Sequence, residues 1–350
     1  MLVTVYGANG YQGKLTIAEL SRQGMEVRLV GRDRTRLESA AAEAGIPDAA
    51  IRVAGLGERA ALIAALAGGD VVINCAGPFT TSGAVMVDAA IAAGAHYIDT
   101  AGEQLYVKGV FDSFGDAAER AGVTVVPAVN DGCLPGDLLA HLIAERTGPL
   151  AEITVSHFIT GAAGLSRGSL RSALATMDTM RSGGLTYDDG AWRSGIPPRR
   201  DRVTLPGGES VVMAALPTCE VVTIPRHVQV DHVESLLEAT LKAGLETPLT
   251  PELIDGLPAG PTEHDRAAQQ FTYLLDAIDH QGRQTRGIIR GRDTYGTTAV
   301  AAVEAARRLA AGNTAAGVQT PAQAFDPSDF LETLSGHDLG WTIEATLTMT

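Results

Sequence analysis

The chain has 350 residues, enough for about two domains, and 45% of them are hydrophobic, which excludes an intrinsically disordered protein. Its formal net charge is −14, so the chain is a poor electrostatic match for nucleic acid or an anionic membrane surface. No apolar run is long enough to predict a membrane span, and the N-terminus lacks a signal-peptide pattern. We therefore expect a cytoplasmic protein whose partner is a small molecule.

Cysteine and histidine spacing argues against a metal site. The chain has three cysteines, with no CxxC pair, and its eight histidines form no HExxH pair. An odd number of cysteines also makes a disulfide framework improbable. We expect neither a metal nor a structural disulfide.

The first 130 residues alternate short apolar strands with helices. The predicted strands are 2–6, 26–30, 51–53, 70–74, 96–99 and 123–127, and the predicted helices are 14–23, 34–44, 58–67, 83–93 and 110–121. Buried strands separated by helices are typical of a parallel sheet that is covered on both faces. The pattern predicts an α/β, doubly wound Rossmann domain.

The pattern changes after residue 149. A half-buried strand at 152–160, a helix at 169–180, a hairpin at 206–208 and two strands within 271–289 predict an α+β domain with a mostly antiparallel sheet. The proline-containing stretch 244–265 reads as an exposed excursion, and helices follow at 297–311 and 321–334. We assign 1–131 and about 295–350 to the Rossmann domain, and about 132–294 to a substrate and dimerisation domain.

A glycine-rich turn directly follows the first predicted strand and opens a helix. Gly7, Gly10 and Gly13 have the GxxGxxG spacing that permits a tight turn and close approach of a pyrophosphate. The helix N-terminus adds free N–H groups for that anion. The simpler alternative is a turn without a ligand. The predicted cofactor-binding residues of this turn are Gly7, Asn9, Gly10, Tyr11, Gln12 and Gly13.

An arginine stands where this fold selects between cofactors. Arg32 is the first residue past the second predicted strand. An acidic residue there favours NAD, whereas arginine accommodates the 2′-phosphate of NADP. We predict NADP(H) as the cofactor, with NAD(H) the alternative because Asp33 follows.

Other loops at the carboxyl ends of the strands supply further candidates, because ligands of doubly wound sheets lie along this edge. Ala76, Gly77 and Pro78 follow the fourth strand and are predicted to flank the cofactor. The candidate proton donors are Tyr97, Glu103, Asp131, Cys133 and Tyr295. The candidate substrate-binding residues are Asn130, Ser169 and Arg171. Simpler roles are a turn or cap for Asp131, an N-cap for Ser169 and an exposed helix position for Arg171.

Several segments together resemble the saccharopine dehydrogenase-like oxidoreductases. They are GANGYQGKL (7–15), LVGRDRTRL (29–37), VINCAGPF (72–79), GAHYIDTAGE (94–103), PAVNDGCLPGDLLA (127–140), GRDTYGTTA (291–299) and GVQTPAQAF (317–325). The chain looks closer to the short bacterial members, which include trans-acting enoyl reductases. The resemblance implies NAD(P) binding, an inserted α+β domain and a homodimer.

These observations predict an NADP(H)-dependent oxidoreductase, more in the reductase direction. Hydride would pass between nicotinamide and a C=C or C=N bond of a small-molecule or carrier-bound substrate. One alternative is a saccharopine-type amino-acid dehydrogenase, for which Arg167, Arg171 and Arg226 would bind substrate carboxylates. The other is a non-catalytic NADP-binding sensor or partner protein, since the fold alone does not define the function.

Overall fold

A computed structural model describes residues 1–161, 164–247, 249–344 and 347–348. The strands are β1 (Leu2–Tyr6), β2 (Glu26–Gly31), β3 (Ala50–Val53), β4 (Val71–Asn74), β5 (His96–Asp99), β6 (Thr124–Val126), β7 (Leu150–Thr160), β8 (Leu185–Asp188), β9 (Ala191–Ser194), β10 (Arg202–Thr204), β11 (Ser210–Ala215), β12 (Val230–Glu238), β13 (Gln270–Asp279), β14 (Arg283–Arg292), β15 (Gly317–Val318), β16 (Gly340–Ile343) and β17 (Leu347–Thr348). The helices are α1 (Tyr11–Arg22), α2 (Arg34–Glu43), α3 (Arg59–Leu66), α4 (Phe79–Ala93), α5 (Gln104–Ala121), α6 (Leu134–Thr147), α7 (Arg167–Ala175), α8 (Met177–Ser182), α9 (Glu220–Thr223), α10 (Ala239–Leu245), α11 (Pro251–Gly256), α12 (Glu263–Ala268), α13 (Thr294–Ala310), α14 (Pro321–Ala324) and α15 (Pro327–Ser335), with a 3-10 turn at Ile224–Arg226.

The first sheet is parallel and has the strand order β15-β6-β5-β4-β1-β2-β3. Alternate side chains of its strands enter two separate hydrophobic clusters. Val3 and Val5 pack with Ile17 of α1, whereas Tyr6 belongs to the cluster that contains Leu62 of α3 and Met86 of α4. Because both faces are covered by helices, these strands are apolar without alternation. Parallel pairing also brings the carboxyl ends of β1, β4, β5 and β6 to one edge.

The second sheet has the order β10-β11-β12-β7-β13-β14-β16. Only β12 and β7 pair in parallel along this path, so the sheet is mixed and mostly antiparallel. Its inner face packs on α6, where Leu139 and Ile143 lie against Gly287 of β14. The two sheets confirm the predicted fold class.

The C-terminal elements contribute to both sheets. Helix α13 packs beside α1, and β15 adds to the first sheet through β6. Strand β16 instead pairs with β14 in the second sheet, and β17 pairs with β14 as well. The stretch 295–350, which the sequence assigned to the first domain, is thus divided between the two sheets.

Several local predictions differ from the structure; the helix expected at 321–334, for example, is divided into α14 and α15. The helix expected at 169–180 is divided into α7 and α8 at Thr176, whose backbone leaves the helical region while its hydroxyl bonds back to Ser172 O at 2.8 Å. Strand β12 was not predicted, because the buried polar side chains of His232 and Glu234 interrupt its apolar pattern.

Across the described residues, the helices are all too short or too polar to span a bilayer.

Candidate functional site

The glycine-rich turn forms a close-packed corner between β1 and α1. Gly7 has a φ of +78°, and a side chain there would meet Ala76 Cβ at 2.9 Å. At Gly13, a Cβ atom would lie 2.1 Å from Gly7 O, so this helix position can only be glycine. Gly10 is the N-cap of α1, is exposed and carries no side chain, while Lys14 N–H donates to Gly10 O at 2.9 Å. The preceding N–H groups of α1 have no acceptor within the helix and are available to an anion.

The other predicted residues of this turn lie around the corner. Asn9 Oδ1 lies 3.6 Å from the place where a side chain on Gly31 would begin. Gln12 Nε2 donates to Tyr295 O at 3.2 Å, and the Tyr11 ring lies edge-on to the Tyr295 ring at 5.0 Å. The start of α1 therefore contacts the start of α13.

Arg32 is an exposed cation at the end of β2, and its guanidinium makes neither a hydrogen bond nor an ion pair with the described residues. Its neighbours are already engaged: Arg34 pairs with Glu38 at 3.8 Å and Arg36 with Asp33 at 3.4 Å. Asp33 also caps α2, accepting a hydrogen bond from Arg36 N. The free arginine fits a 2′-phosphate, while the acidic residue that would favour NAD is occupied in capping.

The turn after β4 lies between the glycine-rich corner and α7. Asn74 Oδ1 accepts the N–H of Ala76 at 3.0 Å, and the Gly77–Pro78 peptide bond is cis. A side chain on Gly77 would lie 2.9 Å from Ser172 Oγ of α7. The second domain therefore reaches the predicted cofactor edge at this turn.

Three of the candidate proton donors are buried and bonded inside the protein. Tyr97 has no exposed surface, and its hydroxyl contacts Asn74 Nδ2 at 3.0 Å. The Glu103 carboxylate accepts the N–H groups of Phe79, at 2.7 Å, and of Thr80, so it caps α4. Cys133 is buried, and its thiol contacts that of Cys219, which together with burial raises the pKa of Cys133 well above its ordinary value. These groups stabilise the rim from within.

Asp131 and Tyr295 are the two partly exposed candidates. Asp131 Oδ2 accepts a hydrogen bond from Tyr273 Oη at 2.8 Å, and Oδ1 accepts one from Thr298 Oγ1 at 3.0 Å. Burial raises the pKa of the Asp131 carboxyl to about 6, although both hydrogen bonds oppose the rise. Such a group is protonated in part near neutral pH, as a general acid requires.

The segment that begins α7 meets Tyr295. Tyr295 Oη accepts the N–H of Ser166 at 2.8 Å and contacts Ser169 Oγ at 2.9 Å. Ser166, rather than Ser169, is the N-cap of α7. Because Tyr295 and Thr298 lie three residues apart on α13, they share a face of that helix. This face links the start of α7 to Asp131.

Two predicted substrate-binding side chains have partners within the protein. Asn130 is buried, donates to Ala101 O at 2.6 Å and accepts the N–H of Cys133 at 2.9 Å. Arg171 pairs with Asp255 of α11. Ser169 instead contacts a second candidate side chain, with 2.9 Å between its Oγ and Tyr295 Oη.

The predicted excursion folds back over the glycine-rich corner. Tyr11 Oη donates to Pro261 O at 2.6 Å, and the N–H of Arg167 donates to Ala259 O at 3.1 Å. Two cavities, of about 400 and 490 Å³, lie elsewhere: one beside β11 and the other between α1, α12 and α13.

Sequence reasoning missed Thr298, Tyr273 and His157, which surround Asp131 or the tyrosine bound to it. Their positions on α13, β13 and β7 are far apart in the chain. The only sequence signal for His157 and Tyr273 is their spacing of two from apolar residues. This spacing predicts that each shares a face of its strand with those residues.

The two-domain fold and the corner at β1 define a dinucleotide-binding protein of the Rossmann class. Residues 3–126 match the family model described as saccharopine dehydrogenase NADP binding domain. This match covers about a third of the chain, and it confirms both the predicted resemblance and NADP(H) as the cofactor.

Comparison with full-length curated proteins finds relatives of the predicted kind. A trans-acting enoyl reductase of Mycobacterium bovis is 31% identical over 150 residues, which are 41% of this chain and 36% of that protein. One from Mycobacterium ulcerans is 30% identical over 159 residues, 43% of this chain and 38% of that protein. The matched segments thus span about two fifths of these relatives.

A solved structure has the same fold over the whole chain. Saccharopine dehydrogenase (L-Glu forming) from Saccharomyces cerevisiae superposes with a TM-score of 0.63 at 12% identity, covering 98% of this chain and 100% of that one. At this identity the similarity shows the fold alone.

Arg32→Ala is expected to weaken NADPH binding by about 1–3 kcal/mol, because a charge-assisted phosphate contact is lost. NADH affinity should change little, since NADH has no 2′-phosphate. Calorimetric titration with both cofactors measures the two effects. Arg36→Ala is the matched control, because Arg36 already pairs with Asp33. Equal NADPH and NADH affinities in the unmodified protein would contradict the assignment.

Proposed function

We propose that the chain is an NADP(H)-dependent oxidoreductase that reduces a C=C or C=N bond of an uncharged acceptor, small or carrier-bound. Bound NADPH supplies the hydride, and the protein supplies orientation, proton and exclusion of water. The carrying observation is that Asp131, Ser169 and Tyr295, from separate parts of the chain, converge at the cofactor edge of the first sheet. Convergent polar groups between domains are typical of substrate sites.

Asp131 is the proton donor of this proposal. Tyr273 and Thr298 hold its two oxygens, so the carboxyl has a fixed orientation. Its pKa of about 6, raised by burial, keeps part of the population protonated at neutral pH. A fixed carboxylic acid of this kind can deliver the proton that accompanies hydride transfer.

The nature of the acceptor follows from the arginines. Arg171 is paired with Asp255, and Arg167 Nη1 donates to Asp255 O at 3.4 Å. Arg226 stacks over Phe111 at 4.0 Å and Trp192 at 4.9 Å. Because Arg167 and Arg171 both bind Asp255, they do not favour a substrate that carries several carboxylates, whereas Arg226 Nε has no hydrogen-bond partner among the described residues. An amino-acid dehydrogenase of the saccharopine type is therefore the weaker alternative.

The mycobacterial relatives named trans-acting enoyl reductases support reduction of a C=C bond. The free thiols of the described chain are compatible with a reducing cytoplasm, which we retain as the proposed location. The homodimer implied by the resemblance stays a prediction, and the mass of the native protein in solution tests it.

Deuterium transfer from C4-labelled NADPH tests the function directly. The full chain is incubated with an α,β-unsaturated thioester and, separately, with a cyclic imine. We expect the thioester product to gain one deuterium while NADP⁺ accumulates in equal amount. Transfer to the imine alone would reassign the acceptor to C=N. Tight NADPH binding without transfer to either would instead support the non-catalytic sensor.

A further inference from the structure

A buried polar group lies behind Asp131, on the inner face of the second sheet. Tyr273, which donates to Asp131, packs its ring against the imidazole of His157 with 4.5 Å between centroids. His157 Nε2 in turn lies 3.2 Å from Glu220 Oε1. Side chains from β13, β7 and α9 therefore run from the candidate acid into the interior.

The pair formed by His157 and Glu220 is almost completely enclosed. The exposed fractions of the two side chains are 5% and 0%. Neither carboxylate oxygen of Glu220 has a hydrogen-bond partner among the described residues, and His157 Nε2 has none. Burial of a carboxylate without hydrogen bonds is costly, and a nearby opposite charge is what can offset the cost. The 3.2 Å between His157 Nε2 and Glu220 Oε1 thus makes these two side chains a close, enclosed pair.

Packing alone does not explain this pair. Glu220 stands at the start of α9, beside Gly136 of α6, where an apolar side chain would fill the same space. Replacing buried ion pairs by hydrophobic residues is often neutral or stabilising. A charged pair at this position therefore suggests a role in the chemistry of its neighbour.

Several groups act on Asp131 from the elements around it. They are His157 from β7, Tyr273 from β13 and Thr298 from α13. Glu220 of α9 and the Cys133 thiol act on Tyr273, and Cys219 acts on Cys133. Burial raises the pKa of Asp131, whereas the hydrogen bonds from Tyr273 and Thr298 and the charge of His157 lower it. Contact with Cys219 and burial both raise the pKa of Cys133. The same contact lowers the pKa of Cys219, but burial together with the nearby carboxylates outweighs it, so the pKa of that thiol is raised as well and both thiols stay neutral.

We propose that His157 and Glu220 form a positioning pair that acts through Tyr273 to set the charge of Asp131. The effect of the pair on Asp131 is independent of the proposed function; only the role of Asp131 as the proton donor during turnover rests on it. His157 lowers the pKa of the Asp131 carboxyl, and Glu220 holds the imidazole in place from 3.2 Å away. Tyr273 lies against the imidazole, and its hydroxyl fixes one oxygen of the carboxyl. Without the pair, Asp131 would remain protonated to higher pH and would release its proton less readily.

The test is a direct titration of Asp131 in the full chain. Aspartate is labelled with ¹³C at the carboxyl carbon, and Asp131→Asn identifies the resonance. We expect a midpoint near pH 6 in the unmodified protein, as burial raises the pKa of this group to about 6. His157→Gln should move the midpoint upward by about one pH unit, the usual effect of losing a nearby opposite charge. Glu220→Gln should move it in the same direction but by less, because the imidazole is then no longer held beside Tyr273 by the carboxylate.

His232→Gln is the matched control. His232 is also fully buried and contacts two carboxylates, Asp188 at 2.9 Å and Glu234 at 3.3 Å, but it faces the opposite side of the same sheet. Its loss should leave the Asp131 midpoint unchanged. An equal shift in this control, or no shift in His157→Gln and Glu220→Gln, would overturn the proposal.

Two further measurements keep the test decisive. The double variant H157Q/E220Q should shift the midpoint no more than H157Q alone, because the effects of residues that act as a unit are not additive.

Tyr273→Phe serves if the buried pair proves essential for folding. This variant retains the ring and removes one hydrogen bond to Asp131, so the midpoint should rise. An unchanged midpoint there would overturn the proposal. The titration uses neither cofactor nor substrate, so its result is separate from the fate of the proposed function.

Discussion

Gly10→Val is expected to abolish NADPH binding while the chain still folds. Gly10 has φ −75° and ψ 168°, an extended conformation that any residue adopts, and it is exposed. A Cβ atom would meet only Gly7 O, at 3.2 Å, so the turn itself accommodates a side chain with a small adjustment. The valine would instead occupy the space through which a pyrophosphate approaches the N-terminus of α1. The affinity should fall at least about 100-fold, or ~2.8 kcal/mol.

Calorimetry with NADPH, together with circular dichroism and thermal unfolding, separates binding from folding in this variant. Gly115→Val provides the matched control, since a side chain on Gly115 of α5 meets no atom within 4 Å. Gly13→Ala is the opposite control, because its Cβ would lie 2.1 Å from Gly7 O and should destabilise the first domain itself. Wild-type affinity in a folded Gly10→Val protein would show that the pyrophosphate does not lie at this corner.

The cofactor corner is the part of the site that the sequence predicts best, because its determinants are local. The strand, the three glycines and the helix occupy 2–22 without interruption, and Gly13 is required by a contact six residues away. Arg32 adds a second local signal at the end of β2. In a parallel sheet, such strand ends meet at one edge whatever the rest of the chain does.

Side-chain direction is what the strand-end rule does not predict. Tyr97 and Glu103 lie close to the correct edge, yet the tyrosine points into the core and the carboxylate turns back to cap α4. Asn130 likewise bonds inside the protein, donating to Ala101 O in the loop after β5 and accepting the N–H of Cys133 in its own loop. Each of these three side chains has a partner on another strand, helix or loop, whose distance depends on tertiary packing and not on local spacing.

The environment of Asp131 could not be predicted from the sequence for a related reason. Tyr273 and Thr298 are separated from it by 142 and 167 residues, so their contacts depend on how β13 and α13 pack around the loop after β6. The buried charged side chains of β12 prevented its prediction from the sequence. Because β12 is the neighbour of β7, the central position of β7 in the second sheet could not be predicted either. The burial that raises the pKa of Asp131 and the hydrogen bonds that hold its carboxyl in place therefore depend on long-range contacts of the folded chain.

Asp131→Asn should lower kcat by about 100- to 10,000-fold, the usual contribution of general acid catalysis. The amide has nearly the same shape and can still accept the hydrogen bond from Thr298, so NADPH affinity and thermal stability should change little. In the unmodified protein, reductive kcat should fall as the pH rises through about 6, because only the protonated carboxyl donates. The residual activity of Asp131→Asn should lose this pH dependence. Steady-state rates from pH 5 to 8, with the acceptor that gains deuterium, measure both effects.

Tyr295→Phe is the variant that separates the two exposed candidates. It keeps the ring against Tyr11 but removes the hydroxyl that contacts Ser166 and Ser169. If Tyr295 only orients the start of α7, this variant should raise KM more than it lowers kcat. If instead its kcat collapses while Asp131→Asn remains active, Tyr295 is the proton donor. The two variants should therefore give opposite patterns. Both side chains lie against one face of α13, but only the proton donor must release a proton during the reaction.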